Sequence, residues 1–289
     1  RIGVDLHLDD FDKFSLNIPL LANIQPSGAH FMEDLYYAGG LPALMNQMKE
    51  HLHTSSITVN GKTVGENITD TPIYDPNIIS SFDEPFKPDS GIAVVRGNLA
   101  PQGAVLKPSA ASPELFKHRG KAVVFENIED YHARIDTPEL EIDETSVMVL
   151  KNVGPKGYPG MAEVGNMGIP KKLLEKGVKD MVRISDGRMS GTGFGTVILH
   201  VSPESAAGGP LNWVQNGDYI SLDVESRSVH WEVSEDELAK RKIEQPFTSP
   251  SMPRGYVGLF IDHVEQADQG ADFDFLKGGS GSVVTRDSH

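Results

Sequence analysis

From Gly91 onward the chain is a succession of short β-rich runs, "IAVVRG", "AVLK", "KAVVF", "SVMVLK", "MVRIS", "TVILHVS", "YISLDV" and "VHWEV", separated by loops full of glycine and proline. This pattern limits the fold more than any other feature. Runs of four to seven residues are too short for helices that bury an apolar stripe, and their irregular spacing does not fit a regular alternation of strand and helix. Only a few helical pieces interrupt them, such as Ile128 to Ala133 and Lys171 to Glu175. The expectation is a mixed α/β chain whose later part is a β-barrel with helices packed outside. "SEDELAKRK" opens with Ser234 and has Glu237 three residues on, the start of a capped helix, and "GYVGLFIDHVEQAD" reads as a final amphipathic helix.

The stretch to about Glu50 reads differently, as helical and partly buried. Leu41, Leu44, Met45, Met48 and Leu52 recur at steps of three and four, which marks one helix face, and a helix is expected to start near Pro42. Asn60-Gly61 between two β-branched runs is a hairpin signal. The polar, proline-spaced connection that follows is where a boundary is expected, giving residues 1–75 and 76–289 as two units.

With 289 residues, 38% of them hydrophobic, the chain can fill a sizeable core. No run approaches the roughly 18 to 20 apolar residues that cross a bilayer, and the start lacks the short apolar core of a secretion signal. A protein without membrane contact, working in the cytoplasm, is expected. The net charge of −15 and the absence of a dense basic block argue against nucleic acid as a partner. An anionic small substrate then needs local help from arginine, backbone N–H groups or a metal ion, because the field of the whole chain repels it. The chain has no cysteine, so it forms no disulfide and supplies no thiolate to zinc or to an iron–sulfur cluster.

Two glycine-rich loops concentrate reactive groups: "GPKGYPGMAEVGNMG" over 154–168 and "SDGRMSGTGFG" over 185–195. Clustered glycines let backbone approach a ligand closely, although tight barrel corners need glycine as well. Neither loop ends in the Lys-Ser or Lys-Thr of a phosphate-binding loop, and Arg188 stands where a Gly-x-Ser-x-Gly elbow needs glycine. Glu163 is a hard oxygen ligand suited to magnesium, and Ser190 and Thr192 offer two hydroxyls on the same side of an extended chain. A serine becomes a base only when something stabilises its alkoxide, as a Lewis acid does; a turn-forming role for Ser190 is the plain alternative. Asp186 and Arg188 are expected to pair and hold the loop, and His200 to be a hydrogen-bonded core residue. Ser27, His30, Glu33 and Asp34 are placed at the start of a helix, where capping explains Ser27 and the acids as well as substrate contact does.

Together "DGRMSG", "GPKGYPGMAE", "HVSPESAAGGP", "PSGAHFMEDLYYAGG" and "TVNGKTVGEN" resemble the dihydroxy-acid and sugar-acid dehydratases, matching the second half of such an enzyme. The form "GYPGMAEVGNM" and the tail "QADQGADFDFLKGGSGSVVTRDSH" are most similar to the branch acting on pentonic acids such as L-arabinonate or D-xylonate. The resemblance implies removal of water from a 2,3-dihydroxy acid to give a 2-keto-3-deoxy acid. It also implies an iron–sulfur cluster (2Fe-2S) and Mg2+ as cofactors, the cluster's cysteines lying outside this chain. By the same resemblance Ser190 matches the serine that takes the C2 proton, Thr192 a neighbouring active-site hydroxyl, and Glu163 a magnesium ligand. Ser27 and His289 are candidates for substrate contact. The helical first segment is then the end of the cluster-binding α/β domain, and the later part a swivelling-type β-barrel domain. The partners implied are the N-terminal half of the same enzyme, a small sugar acid, and further copies in a homodimer or homotetramer. Gluconate, phosphogluconate and branched dihydroxy acids are the competing substrates. A non-catalytic binding or assembly module is the alternative of another class, and the chain taken alone is expected to lack activity.

Overall fold

The computed structural model describes residues 4–16, 18–88 and 90–276. All eight β-rich runs form strands: β1 (Ala93–Val95), β2 (Gly103–Leu106), β3 (Lys117–Phe125), β4 (Val147–Leu150), β5 (Arg183–Ser185), β6 (Val197–Ser202), β7 (Tyr219–Asp223) and β8 (Ser228–Trp231). They make one sheet in the order β1-β2-β6-β5-β4-β3-β7-β8. Its two edges meet where Arg96 bridges Ser228 in parallel, with Arg96 N–H donating to Arg227 O and Val229 N–H to Arg96 O, both at 2.9 Å. The sheet is therefore a nearly closed barrel. At this seam Gly97 is obligatory, because a Cβ there would fall on the Val229 carbonyl.

β3 changes partner along its length, and its residues show why. Lys117–Lys121 are largely polar and pair antiparallel with β7, leaving a solvated face; Ala122–Phe125 are wholly buried and pair parallel with β4. From β3 through β4, β5 and β6 every pairing is parallel. Along these strands Val124, Val149, Ile184 and Ile198 point into the main core with Leu222, Val229 and Trp231. Val123, Phe125, Met148 and Leu150 point outward beneath α5 (Ile128–Arg134) and α6 (Lys171–Leu174), through Tyr131 and Leu173. After the barrel come α7 (Glu235–Glu244) and α8 (Tyr256–His263). Ser234 caps α7 by accepting from Glu237 N–H; the carboxylate of Glu237 turns instead to Arg241, which also grips Asp218 at 2.6 Å.

The first segment carries α1 (Leu8–Ser15), α2 (Met32–Tyr37), α3 (Gly40–Gln47) and the short α4 (Val64–Ile68). Between α1 and α2 the helical expectation fails. There Leu20 bridges Lys87, Ala22 bridges Ile79 and Ile24 bridges His30. Pro19 and Pro26 lack the N–H a helix needs and disfavour helical geometry in the preceding residue, so this backbone pairs outward instead. α2 accordingly begins at Met32, and Ser27 lies in a turn before it, not at its cap. The hairpin at Asn60-Gly61 forms, but with a single bridge, Ile57 to Thr63. Leu35, Ala38, Ala43, Ile78 and Ile79 build a small core of their own. The expected apolar face of α3 is only partly covered within this chain: Leu41 is 60% exposed.

Candidate active site

Because β4 and β5 are parallel neighbours, the loops that follow them leave from the same rim of the barrel, at the carboxyl ends of the strands, where open α/β sheets bind ligands. The two glycine-rich loops that flank α6 and β5 in sequence are thereby brought together in space. A Cβ on Gly193 would lie 2.7 Å from the Asn166 amide, so glycine is what allows the second loop to press on the first. One buried arginine ties them. Arg183, with its side chain 6% exposed, donates to Asn166 O (3.0 Å) and Met167 O (2.8 Å) of one loop and to Phe194 O (2.9 Å) of the other. Asp180, 2.8 Å away and equally buried, balances its charge and accepts from Thr196 N–H and Oγ1.

On this support sit the candidate residues. Ser190 Oγ and Thr192 Oγ1 are 3.1 Å apart, in mutual hydrogen-bond contact, and Thr192 N–H points at Ser190 Oγ at 3.3 Å. The Ser190 carbonyl accepts from Gly193 N–H (3.1 Å) and from Lys107 Nζ (2.8 Å). Glu163, half-exposed on the first loop, pairs with Arg188 of the second at 3.1 Å. This corrects the expected Asp186–Arg188 pair. Asp186 is fully buried and turns inward, accepting from Val153 N–H (3.0 Å) and Ser205 N–H (2.8 Å), while Arg188 points out toward Glu163. Ser27 Oγ contacts Ser109 Oγ at 2.9 Å in the turn after β2, two residues from Lys107. His289 lies outside the described residues.

Two buried titratable groups shape the loop from below. Burial first, then the neighbouring charge of Glu204, pushes the Asp186 carboxyl up to about 7, against the N–H groups it accepts from. His200 occupies a bulge: Gly103 pairs Ser202 while Val105 pairs Leu199, so β6 carries an extra residue, and His200 takes φ of 56°. The bulge turns its ring toward the serine loop, where Nε2 accepts from Met189 N–H at 2.8 Å. Burial, and secondly the charge of Arg188, lowers the His200 pKa to about 4. Above its ordinary value of 6.5, His200 is neutral folded and unfolded alike and contributes no pH dependence. As pH falls from 6.5 toward about 4 only the unfolded chain gains the proton, so stability drops, by about 3 kcal/mol in all. Asp186 acts in the opposite sense: its contribution is full below its unfolded value of 3.8 and is lost as pH rises through about 7. The measurement is an NMR titration of the His200 ring, expected to stay neutral at pH 5 with Nε2 unprotonated; a midpoint near 6.5 contradicts this.

Lys107, Ser109, Asp180, Arg183 and Glu204 lie around these two loops, the first four at the amino-terminal ends of β5 and β6, and sequence reasoning did not single them out. For Arg183 a signal existed, a charge inside the apolar run "MVRIS" with an aspartate three residues before it. Among the described residues no cluster of three or more His, Asp or Glu is spaced to hold a metal ion, so Glu163 stands as a single oxygen donor. With no cysteine, the chain offers no thiolate ligand to an iron–sulfur cluster. No helix among the described residues is long and apolar enough to cross a membrane.

Residues 77–271 match the family model described as dihydroxy-acid/6-phosphogluconate dehydratase C-terminal, and residues 1–67 match its N-terminal counterpart. With the barrel and its paired loops in view, the chain belongs to the dihydroxy-acid/6-phosphogluconate dehydratase family. Among its relatives, the L-arabonate dehydratase of Azospirillum brasilense is 54% identical over 298 aligned positions, covering all of this chain and 51% of that protein. The L-arabinonate dehydratase of Rhizobium leguminosarum bv. trifolii (strain WSM2304) is 53% identical, again over the whole chain and 50% of its own length. A dihydroxy-acid dehydratase of Acetivibrio thermocellus is 41% identical over 94% of the chain and 49% of its length. The chain spans about half the length of these relatives.

Proposed function

We propose that this chain is the proton-transferring part of a sugar-acid dehydratase acting on a pentonate, with L-arabinonate ahead of D-xylonate. The observation that carries the reading is the Ser190–Thr192 hydroxyl pair, 3.1 Å apart on a loop clamped to its glycine-rich neighbour. Ser190 Oγ, as the alkoxide, takes the proton from C2 while the C3–O bond breaks; the proton held on Ser190 then passes to the departing hydroxide, which releases water and restores the alkoxide. The resulting enol tautomerises to the 2-keto-3-deoxy acid. Thr192 supplies a hydrogen bond to the serine oxygen, which stabilises its charged form. Arg188 and nearby backbone N–H groups offset the negative charge of an incoming acid. Glu163 is assigned as one oxygen ligand of a magnesium ion whose other ligands lie elsewhere in the enzyme. Lewis-acid assistance to the departing hydroxyl belongs to cofactors that this chain does not hold alone.

Identity of 53–54% with arabinonate dehydratases along the full chain supports the substrate class, and their double length supports an enzyme with a further half, to which the resemblance assigns the cluster's cysteines. In this reading residues 1–75 continue the domain formed by that half. Phe31, Met32, Tyr36, Tyr37 and Leu41, each 60% exposed or more, make the face it covers. The whole enzyme assembles as a homodimer or homotetramer. The test is to incubate the whole enzyme with L-arabinonate, D-xylonate, D-gluconate and a branched 2,3-dihydroxy acid and to measure the 2-keto acid formed. Pentonates are expected to give the highest kcat/KM, and no turnover of any of the four refutes the reading.

A further inference from the structure

Resting on that reading, we propose that Lys107 is a positioning residue for Ser190: its ammonium holds the turn that aims the hydroxyl pair and places a positive charge beside it. Lys107 Nζ donates to Ser190 O at 2.8 Å and to Gly191 O at 3.1 Å. These are the two carbonyls at the start of the turn whose far side is Thr192. Among the described residues Lys107 has no hydrogen bond to a carboxylate. Burial also holds its pKa below the usual lysine range. Keeping a cation partly out of water is costly, and here its donors go to two carbonyls of one short turn.

The root of Lys107 is fixed as firmly as its tip. It follows Leu106, which is fully buried at the end of β2, and precedes Pro108, whose ring fixes its own φ. The next residues are pinned on several sides: Ser109 Oγ by Ser27 Oγ (2.9 Å), Ser109 O by Lys87 Nζ (2.6 Å), Ala110 O by Gly195 N–H (2.8 Å) and Ser112 N–H by Asp180 (3.2 Å). Residues 107–112 thus form a strut between the first segment and the serine loop. Movement of either end reaches Ser190 through Lys107.

The test uses the whole enzyme with Lys107→Met and Lys107→Arg. Amide hydrogen exchange over residues 190–193 reports the turn, and steady-state kinetics with the pentonate report its use. Lys107→Met is expected to speed exchange there by about 10-fold, with the amides of β4 and β5 unchanged, since only a local opening is released. It is expected to lower kcat by about 100-fold with KM within about 3-fold, the cost of misplacing a reacting group by roughly 1 Å. Lys107→Arg, which keeps the charge and donors, is expected to restore slow exchange and most of kcat. Unchanged exchange in Lys107→Met overturns the proposal, as does faster exchange with kcat intact or an arginine variant that rescues neither. If the wild-type enzyme turns over none of the acids, the dehydratase reading has failed by itself, and exchange alone decides whether Lys107 holds the turn.

Discussion

Ser190→Ala is expected to reduce kcat for the pentonate by about 10³-fold, within the roughly 10²–10⁴ that a positioned proton-transfer group contributes, with KM little changed. The geometry separates this loss from misfolding. Main-chain contacts hold the turn: Gly193 N–H and Lys107 Nζ both reach the Ser190 carbonyl, which alanine retains. Only the side-chain contacts to Thr192 Oγ1 and Thr192 N–H disappear. Ser190 is half-buried and Thr192 exposed, so water replaces what is lost and stability changes by no more than about 1 kcal/mol. Kinetics on the whole enzyme, paired with a thermal midpoint, check both statements. A Ser190→Ala enzyme retaining a tenth or more of kcat removes Ser190 from the role of base.

Arg183→Met is expected to cost the fold about 3–5 kcal/mol, the range for breaking one partner out of a buried ion pair. The Asp180 side chain is only 4% exposed and would keep its charge among N–H groups with no cation beside it. The carbonyls of Asn166, Met167 and Phe194 would lose their donor in the same step. Set against a total stability of about 5–15 kcal/mol for a domain, this is a large fraction. The paired substitution Arg183→Met with Asp180→Leu is expected to be milder than the sum of the singles, because the uncompensated charge is gone. The thermal midpoints of wild type, both singles and the double complete the cycle, and a loss below about 1 kcal/mol for Arg183→Met contradicts the clamp.

Strands were legible because each holds a compact apolar run bounded by turn residues, but the run read for β3 began at Lys121, and its polar stretch 117–120, which pairs with β7, carried no such signal. Closure of the barrel was not legible, since it rests on Arg96 meeting Ser228, far apart in sequence and joined through backbone. Apolar spacing in Leu20, Leu21 and Ile24 looks helical, yet Leu20 bridges Lys87 and Ala22 bridges Ile79, backbone that only the fold brings near, while Ile24 bridges His30. At the rim, Ser190, Thr192 and Glu163 stand out by residue type and neighbouring glycines. Lys107 and Arg183 act on carbonyl oxygens, which every residue carries, so no pattern announces their targets. Asp186 and Arg188 were paired by proximity in sequence, but residues two apart on an irregular loop need not share a side, and theirs do not.

The seam of the barrel has a consequence for its independence as a unit. α1, from the opposite end of the chain, lies across it: Asp12 Oδ1 accepts from Val94 N–H (3.1 Å) on one edge and from Arg227 Nε (2.9 Å) at the other, and Asp9 pairs with Arg96. One carboxylate therefore staples together the two strands that sequence separates most widely. Transplanted from residue 77 onward, the barrel would keep the backbone seam at Arg96 but lose the carboxylates of a short helix encoded well before the first strand.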